Sequence, residues 1–311
     1  MWRRVLAALL LLVMAVAGSD LSDAATRKKK VKKAPAPPAV TKLIYEAPMR
    51  VVIVRSSNAA CEPLCPEWIA AEGEITGATP GAFSKVFKQM DKRKLPVIIR
   101  SPGGSINAAL DIGRMIRKRG LDVSVGWTTY SGCAPDQKSC KLPDGQKGLY
   151  RGLALSERAF CNSACHLILA SGVTRLAPYG TYVGVHQPKT VWTREIVYYR
   201  EHYRIIKGKK KVIDRKIVSR KPGKSRVTFG YDKALRKKLT AYYKEMGISP
   251  KVLEESEKAA FKDINYLSGM ELQELQLRTL PAGPETLAGP SVCKSIGKPG
   301  NCIETSGTLT P

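Results

Sequence analysis

Three short segments carry residue types that could do chemistry together. Cys161-Asn162-Ser163-Ala164-Cys165-His166 sets a serine between two cysteines at the start of an apolar run, 167–171, which Gly172 ends. Val183-Gly184-Val185-His186-Gln187-Pro188 brings a histidine to the end of a strand-like run. Ser101-Pro102-Gly103-Gly104 joins an apolar strand pattern to a helix pattern. A serine hydroxyl becomes a useful nucleophile when a neighbouring base takes its proton, and imidazole can do so near neutral pH. Paired glycines allow unusual backbone angles and close approach of a ligand, and N–H groups at a helix start can hold negative charge. Taken singly, each segment has an ordinary structural reading: a serine N-cap, a histidine that only packs, a tight turn.

The elements around these segments can position them. Residues 50–54 read as a buried strand, 68–75 as a weaker one, and 95–100 as a third that runs straight into Ser101. Residues 81–92 fit a helix with Phe83, Val86, Phe87 and Met90 on one face. The helix after Ser105 puts Ala109, Ile112 and Ile116 on one face, places Arg117, Lys118 and Arg119 in its last turn and stops at Gly120. A strand follows at 121–125, and a clear helix spans 232–246. Strand–helix alternation with short turns predicts an α/β fold with largely parallel strands. Residues 127–160 read as a loop, 194–231 as a basic hairpin-like insert, and 281–311 as an irregular tail.

Composition sets the wider frame. The chain has 311 residues, 43% hydrophobic and 25% charged, which reads as globular. Arg3 and Arg4 precede an apolar run at 5–17 that ends Ala15-Val16-Ala17, the layout of a signal peptide, with a retained anchor as the alternative. Residues 18–48 read as a basic, proline-rich linker, and 49–280 as the catalytic domain. A periplasmic or secreted location is expected. Eight cysteines in local pairs agree with export and disulfides. Cys293 and Cys302 are the easiest local pair. Cys161 and Cys165 lie four apart, and a bridge between them within one helix would be strained. At least one of them is therefore expected to pair with Cys133 or Cys140. The cysteine spacings and only three histidines do not suit zinc, and neither metal nor cofactor is expected.

The net charge is +26. Six cations fall in 27–33, and the block from Arg194 to Arg226 carries thirteen Lys or Arg against three acids. An anionic membrane or envelope polymer is the expected partner of that block. Tyr198, Tyr199, Tyr203 and Phe229 are interleaved with its charges, yet no nucleic-acid-binding motif accompanies them.

Together and in this order, the three segments resemble the Clp protease proteolytic subunit over residues 50–275, with gaps. Ser163 opens a helix ending Ala170-Ser171-Gly172, and His186-Gln187-Pro188 begins 23 residues after Ser163. The resemblance implies a ClpP/crotonase-like α/β spiral of repeated strand-strand-helix units and an endopeptidase acting on peptides or unfolded protein. It implies Ser163 as nucleophile, His186 as base, and the N–H groups of Gly104 and Ala164 as an oxyanion hole. Asp263, ahead of Tyr266-Leu267-Ser268, is the candidate third triad member, one position further from the aromatic residue than the family has it. His166 is expected to point into packing, and His202 falls in the insert.

Several departures limit the resemblance. About thirty-five residues separate Trp127 from Cys161 where the family has a few, the cysteines beside Ser163 are not shared, and the insert falls where the family has its handle. The stacked-ring assembly therefore does not carry over, although a homo-oligomer stays open, and export would remove the ATP that an unfoldase partner needs. Two alternatives remain: a membrane-associated Ser–Lys protease of the signal-peptide-peptidase or NfeD type, with Lys207 among the candidate bases, and a non-catalytic binding module; a crotonase-like acyl-CoA enzyme shares the fold, but CoA chemistry does not suit a location outside the cytoplasm.

Overall fold

A strand buried along nearly its whole length organises the molecule. It is β2 (Leu64–Glu72), and its neighbours are β1 (Arg50–Ser56), antiparallel, and β3 (Val97–Arg100), parallel. β4 (Val123–Val125) and β8 (Arg175–Leu176) continue the parallel side. On the other side β6 (Leu149–Leu155) runs parallel to β1, and β5 (Trp127–Tyr130) closes the sheet antiparallel to β6. The computed structural model describes residues 47–137, 149–295 and 299–304. The expected signal 1–17 and all but the last two residues of the expected linker lie outside them.

The helices follow from their apolar stripes. α1 (Thr79–Met90) buries Phe83, Val86, Phe87 and Met90. α2 (Ile106–Arg119) starts where the Ser105 hydroxyl accepts the Ala108 N–H, and it buries Ala109, Ile112 and Ile116. α4 (Lys233–Glu245), capped by Asp232, adds Leu239, Tyr242 and Tyr243 to the same core. Between them, α3 (Cys165–Ala170) is buried at every residue. The α/β class with largely parallel strands is thus what the sequence periodicity predicts.

A second, three-stranded sheet carries the chemistry-bearing segments. β7 (Phe160–Asn162) and β9 (Tyr182–Val185) are parallel, and β12 (Asn265–Tyr266) pairs antiparallel with β9. The two sheets are stitched where Ser101 N–H donates to Phe160 O (3.1 Å) and Asn162 N–H donates to Ser101 O (2.9 Å). That stitch sets the Ser-Pro-Gly-Gly loop beside the turn that holds Ser163.

Two stretches differ from the sequence reading. The expected loop 127–160 contributes β5 and β6. Thr128 anchors β5 by donating its N–H to Glu72 Oε1 (2.8 Å) and accepting the Trp68 indole N–H (3.0 Å). Gly152, a turn signal in the sequence, instead lets β5 approach: a Cβ there would lie 2.4 Å from Thr129 O. The described part of the expected irregular tail, which reaches Glu304, also folds. It forms α5 (Glu285–Ala288) and β13 (Cys302–Glu304), which pairs antiparallel with β2 and is tied by a Cys293–Cys302 disulfide. The insert is a hairpin that begins earlier than expected, at Lys189, and ends at Phe229: β10 (Lys189–Ile206) and β11 (Lys209–Phe229).

The tail is held from inside by Arg55, which is 1% exposed. Its guanidinium donates to Ile303 O (2.6 Å) and Pro63 O (2.9 Å) and pairs with Glu62 (3.3 Å). Arg55→Leu removes all three bonds and leaves two carbonyls without that donor. Urea unfolding of this variant should show a loss of about 3 kcal/mol, with faster proteolysis of the chain beyond Pro281.

Candidate active site

The site begins with a strained residue. Between β7 and α3 the chain turns through Ser163 at φ 52°, a left-handed conformation that costs a non-glycine residue about 1–2 kcal/mol. Three features hold it. Ser163 N–H donates to Gly184 O on β9 (2.8 Å). Ser163 O accepts the His166 backbone N–H (3.2 Å) and a bond from His166 Nδ1. A Cys161–Cys165 disulfide then closes the turn, with Cα atoms 5.1 Å apart.

That bridge corrects the expected pairing of Cys161 or Cys165 with Cys133 or Cys140. The expectation assumed both residues on one helix. Cys161 instead ends a strand and Cys165 opens a helix, and the left-handed turn folds them together. Cys61 and Cys65 form a further disulfide. Cys133 is disulfide-bonded as well, and Cys140 lies outside the described residues.

The Ser-Pro-Gly-Gly loop packs directly on this turn. Gly103 and Gly104 sit at φ 105° and 130°. A Cβ on Gly103 would lie 2.5 Å from Ser163 Cβ, and one on Gly104 would lie 2.2 Å from Ile75 O. Only glycine fits either place. Ile75 N–H donates to Gly103 O and Ser105 N–H donates to Ile75 O, both at 2.7 Å, which fixes the loop on both sides of Gly104. Among the described residues, the N–H groups of Gly104 and Ala164 donate to no protein acceptor.

His186 follows β9 directly, so it and Ser163 emerge from the same ends of two adjacent parallel strands. The imidazole is half-buried against Phe261, with ring centroids 5.4 Å apart. Its Nδ1 pairs with Gln187 O (2.8 Å), so Nδ1–H donates and Nε2 keeps its lone pair. Burial lowers its pKa below the usual histidine value, and the Gln187 carbonyl opposes that shift. Ser163, His186 and Gly104 line one cavity of about 460 Å³ without a direct Ser163–His186 hydrogen bond. Catalytic hydrogen bonds are often long before substrate binds. Ile106, Trp192, Leu235 and Phe261 give the cavity apolar walls, and Lys189 and Lys238 also line it.

Asp263 does not take the expected orienting position. The Nδ1 it would address is bonded to Gln187 O, and Asp263 is exposed, its own N–H donating to Ala260 O (2.9 Å). The residue turned toward β9 is the next one: Ile264 Cγ2 lies 2.4 Å from where a Cβ on Gly184 would sit. The one-position shift in sequence therefore turns the carboxylate outward.

His166 has a larger part than packing alone. It is buried, and its Nε2 accepts the Tyr243 hydroxyl (2.6 Å) while Nδ1–H bonds the Ser163 carbonyl. A neutral histidine three residues after Ser163 thus braces the turn against α4. Lys207, named for a Ser–Lys dyad, lies in the turn between β10 and β11 and does not line the cavity.

No family model matches the sequence, and no curated protein matches it. Several solved structures share parts of the chain trace. The 1510-N membrane-bound stomatin-specific protease overlaps at TM-score 0.36 and 15% identity, covering 68% of this chain and 76% of its own. The ClpP protease catalytic domain from Plasmodium falciparum overlaps at TM-score 0.34 and 14% identity, covering 66% and 79%. ClpP1 from Listeria monocytogenes overlaps at 0.32 and 13%, covering 66% and 85%. At these TM-scores the overlaps carry no weight for function, and the geometry of the site stands by itself.

Burial pushes the His166 pKa down to about 4, against an opposing pull from the Ser163 carbonyl. The unfolded chain, with histidine near 6.5, takes up a proton that the folded protein resists. The contribution is complete above pH 6.5 and is lost as pH falls from 6.5 toward 4. It should amount to about 3 kcal/mol across that window. Thermal melts at pH 7, 5.5 and 4 should show this loss, and His166→Gln should flatten it.

Proposed function

We propose that the protein is a serine peptidase in which Ser163 is the nucleophile and His186 the general base. The observation that carries this reading is the strained Ser163 turn, which shares a cavity with a histidine whose Nε2 keeps its lone pair and lies beside two backbone N–H groups that have no protein acceptor among the described residues. Strain held by surrounding structure is a mark of functional sites.

The chemistry runs as follows. His186 Nε2 takes the Ser163 hydroxyl proton as Oγ bonds to the scissile carbonyl carbon. The carbonyl oxygen becomes an oxyanion that accepts from the N–H groups of Gly104 and Ala164, each donor worth about 3 kcal/mol in comparable enzymes. The C–N bond then breaks, and the imidazolium returns its proton to the leaving amine. Water, deprotonated by the same imidazole, hydrolyses the acyl-Ser163 ester. In this reading the Gln187 carbonyl, in place of Asp263, fixes the imidazole tautomer. The substrate is a peptide or an unfolded segment that fits the apolar cleft.

Lys189 and Lys238 keep a Ser–Lys reading in view, because both line the cavity. Both are otherwise engaged: Lys189 Nζ lies 5.6 Å from the Phe261 ring centroid, and Lys238 donates to Asn107 (2.7 Å). An oxidising compartment outside the cytoplasm is part of the proposal, since disulfides persist there. No helix among the described residues is long and apolar enough to cross a membrane.

A fluorophosphonate probe with mass mapping should label Ser163, and Ser163→Ala should abolish that label. His186→Ala should lower peptidase activity by about a thousandfold or more, while Asp263→Ala, Lys189→Met and Lys238→Met keep most of it. Silence in Lys189→Met or Lys238→Met with activity retained in His186→Ala would favour the Ser–Lys reading. A folded wild type that takes no label would leave a non-catalytic module.

The pH profile gives a second test. His186 is a base only when neutral, and its pKa is lowered. The acid limb of kcat/KM should therefore fall below pH 6.5, the ordinary histidine value. A limb above that value would assign the titration to another group.

A further inference from the structure

The β10–β11 hairpin has features that the cleft chemistry does not use. Its strands have 18 and 21 residues, so at about 3.3 Å per residue it reaches on the order of 60 Å. Among the described residues, fourteen of the twenty exposed large hydrophobic ones lie on it. Single exposed apolar residues are ordinary, but a set rimmed by charge marks an interaction site. An isolated two-stranded ribbon is also marginal in water, which a partner surface would relieve.

The tip is the most distinctive part. Around the Lys207-Gly208 turn, Ile205 and Ile213 are 63% and 60% exposed, with Ile206 and Val212 beside them. Arg204, Lys207, Lys209, Lys210 and Lys211 surround these aliphatic residues. Lys210 is tied to Glu201 (2.9 Å) and lies over Tyr203 (4.5 Å). The hairpin's other ion pairs join Arg215 to Glu201 and Arg220 to Glu195. Among the described residues, the remaining four cations of the tip form no ion pair.

We propose that this tip docks on an anionic phospholipid bilayer, with Ile205, Ile206, Val212 and Ile213 entering the acyl boundary and the surrounding cations at the phosphates. Charge complementarity selects this occupant. The hairpin has fourteen Lys or Arg against three acids, so a second copy would bring like charge to like charge. Nucleic acid satisfies cations and stacks on aromatic rings, but it offers nothing to four exposed aliphatic side chains. A bilayer interface takes both, and Tyr203 just behind the tip fits the headgroup layer. The inference is independent of the peptidase reading.

The test is co-sedimentation of the full chain with vesicles of phosphatidylcholine, with and without phosphatidylglycerol. Binding should need phosphatidylglycerol and weaken with salt. Lys207→Glu, Lys209→Glu and Lys211→Glu combined should cut it by at least about tenfold, the scale expected for three surface cations. Ile205→Asp with Ile213→Asp should cut it comparably, with the thermal melt unchanged. An Ile205→Trp variant should show blue-shifted emission, quenched by brominated lipid. Absence of wild-type binding, equal binding by the tip variants, or unshifted emission on bound vesicles would each overturn the proposal. So would a self-associated state that the tip variants dissolve without any vesicle.

Discussion

The left-handed turn at Ser163 is the constraint around which the functional half of the molecule is arranged. A serine does not choose φ 52° by itself. The strand before it, the helix after it, the carbonyl of Gly184, the His166 imidazole and the Cys161–Cys165 bridge all act on that one residue. Gly103 then packs so closely against Ser163 that no side chain fits between them. The result is a serine presented at a cleft by backbone geometry. Among the described residues, the neighbouring N–H groups of Gly104 and Ala164 are left without protein acceptors by the same geometry.

The larger fold serves this arrangement from below. β3 delivers the Gly-Gly loop, β7 delivers Ser163, and β9 delivers His186, all from strand ends held in register by backbone hydrogen bonds. Tyr243 reaches from α4 to His166, so the same helix that lines the cleft through Leu235 and Lys238 also braces the Ser163 turn. β13 and Arg55 tie the end of the described chain back to β2, which anchors the central sheet. The hairpin departs immediately after His186-Gln187-Pro188, so its base, through Lys189 and Trp192, forms one wall of the cleft.

Much of this was legible in the sequence, because it rests on local patterns. Apolar stripes at helical spacing identified α1, α2 and α4, and apolar runs identified β1, β3 and β4. Ser163, His186 and Gly104 were found from residue type and order, and they line one cavity. What was missed depends on tertiary contacts. β5 and β6 looked like loop because the stretch contains several Gly and Pro, yet β6 gains order by pairing with β1, and β5 by pairing with β6 and from the Thr128–Glu72 bond. The tail looked irregular because its strand is only three residues long and depends on β2 and a disulfide. The one-position offset of Asp263 is visible in the sequence, but its consequence shows only where Ile264 is seen to face β9. His166 gave one available signal, its place three residues after Ser163 on a helix start, but its partner Tyr243 lies 77 positions away.

Where an oxyanion would sit can be seen in a crystal structure of the protein inactivated by diisopropyl fluorophosphate. The account predicts a phosphoryl group bonded to Ser163 Oγ, with its free oxygen accepting from the N–H groups of both Gly104 and Ala164 at about 2.7–3.1 Å. A phosphoryl group on another residue, or one on Ser163 whose oxygen faces solvent away from both N–H groups, would contradict it.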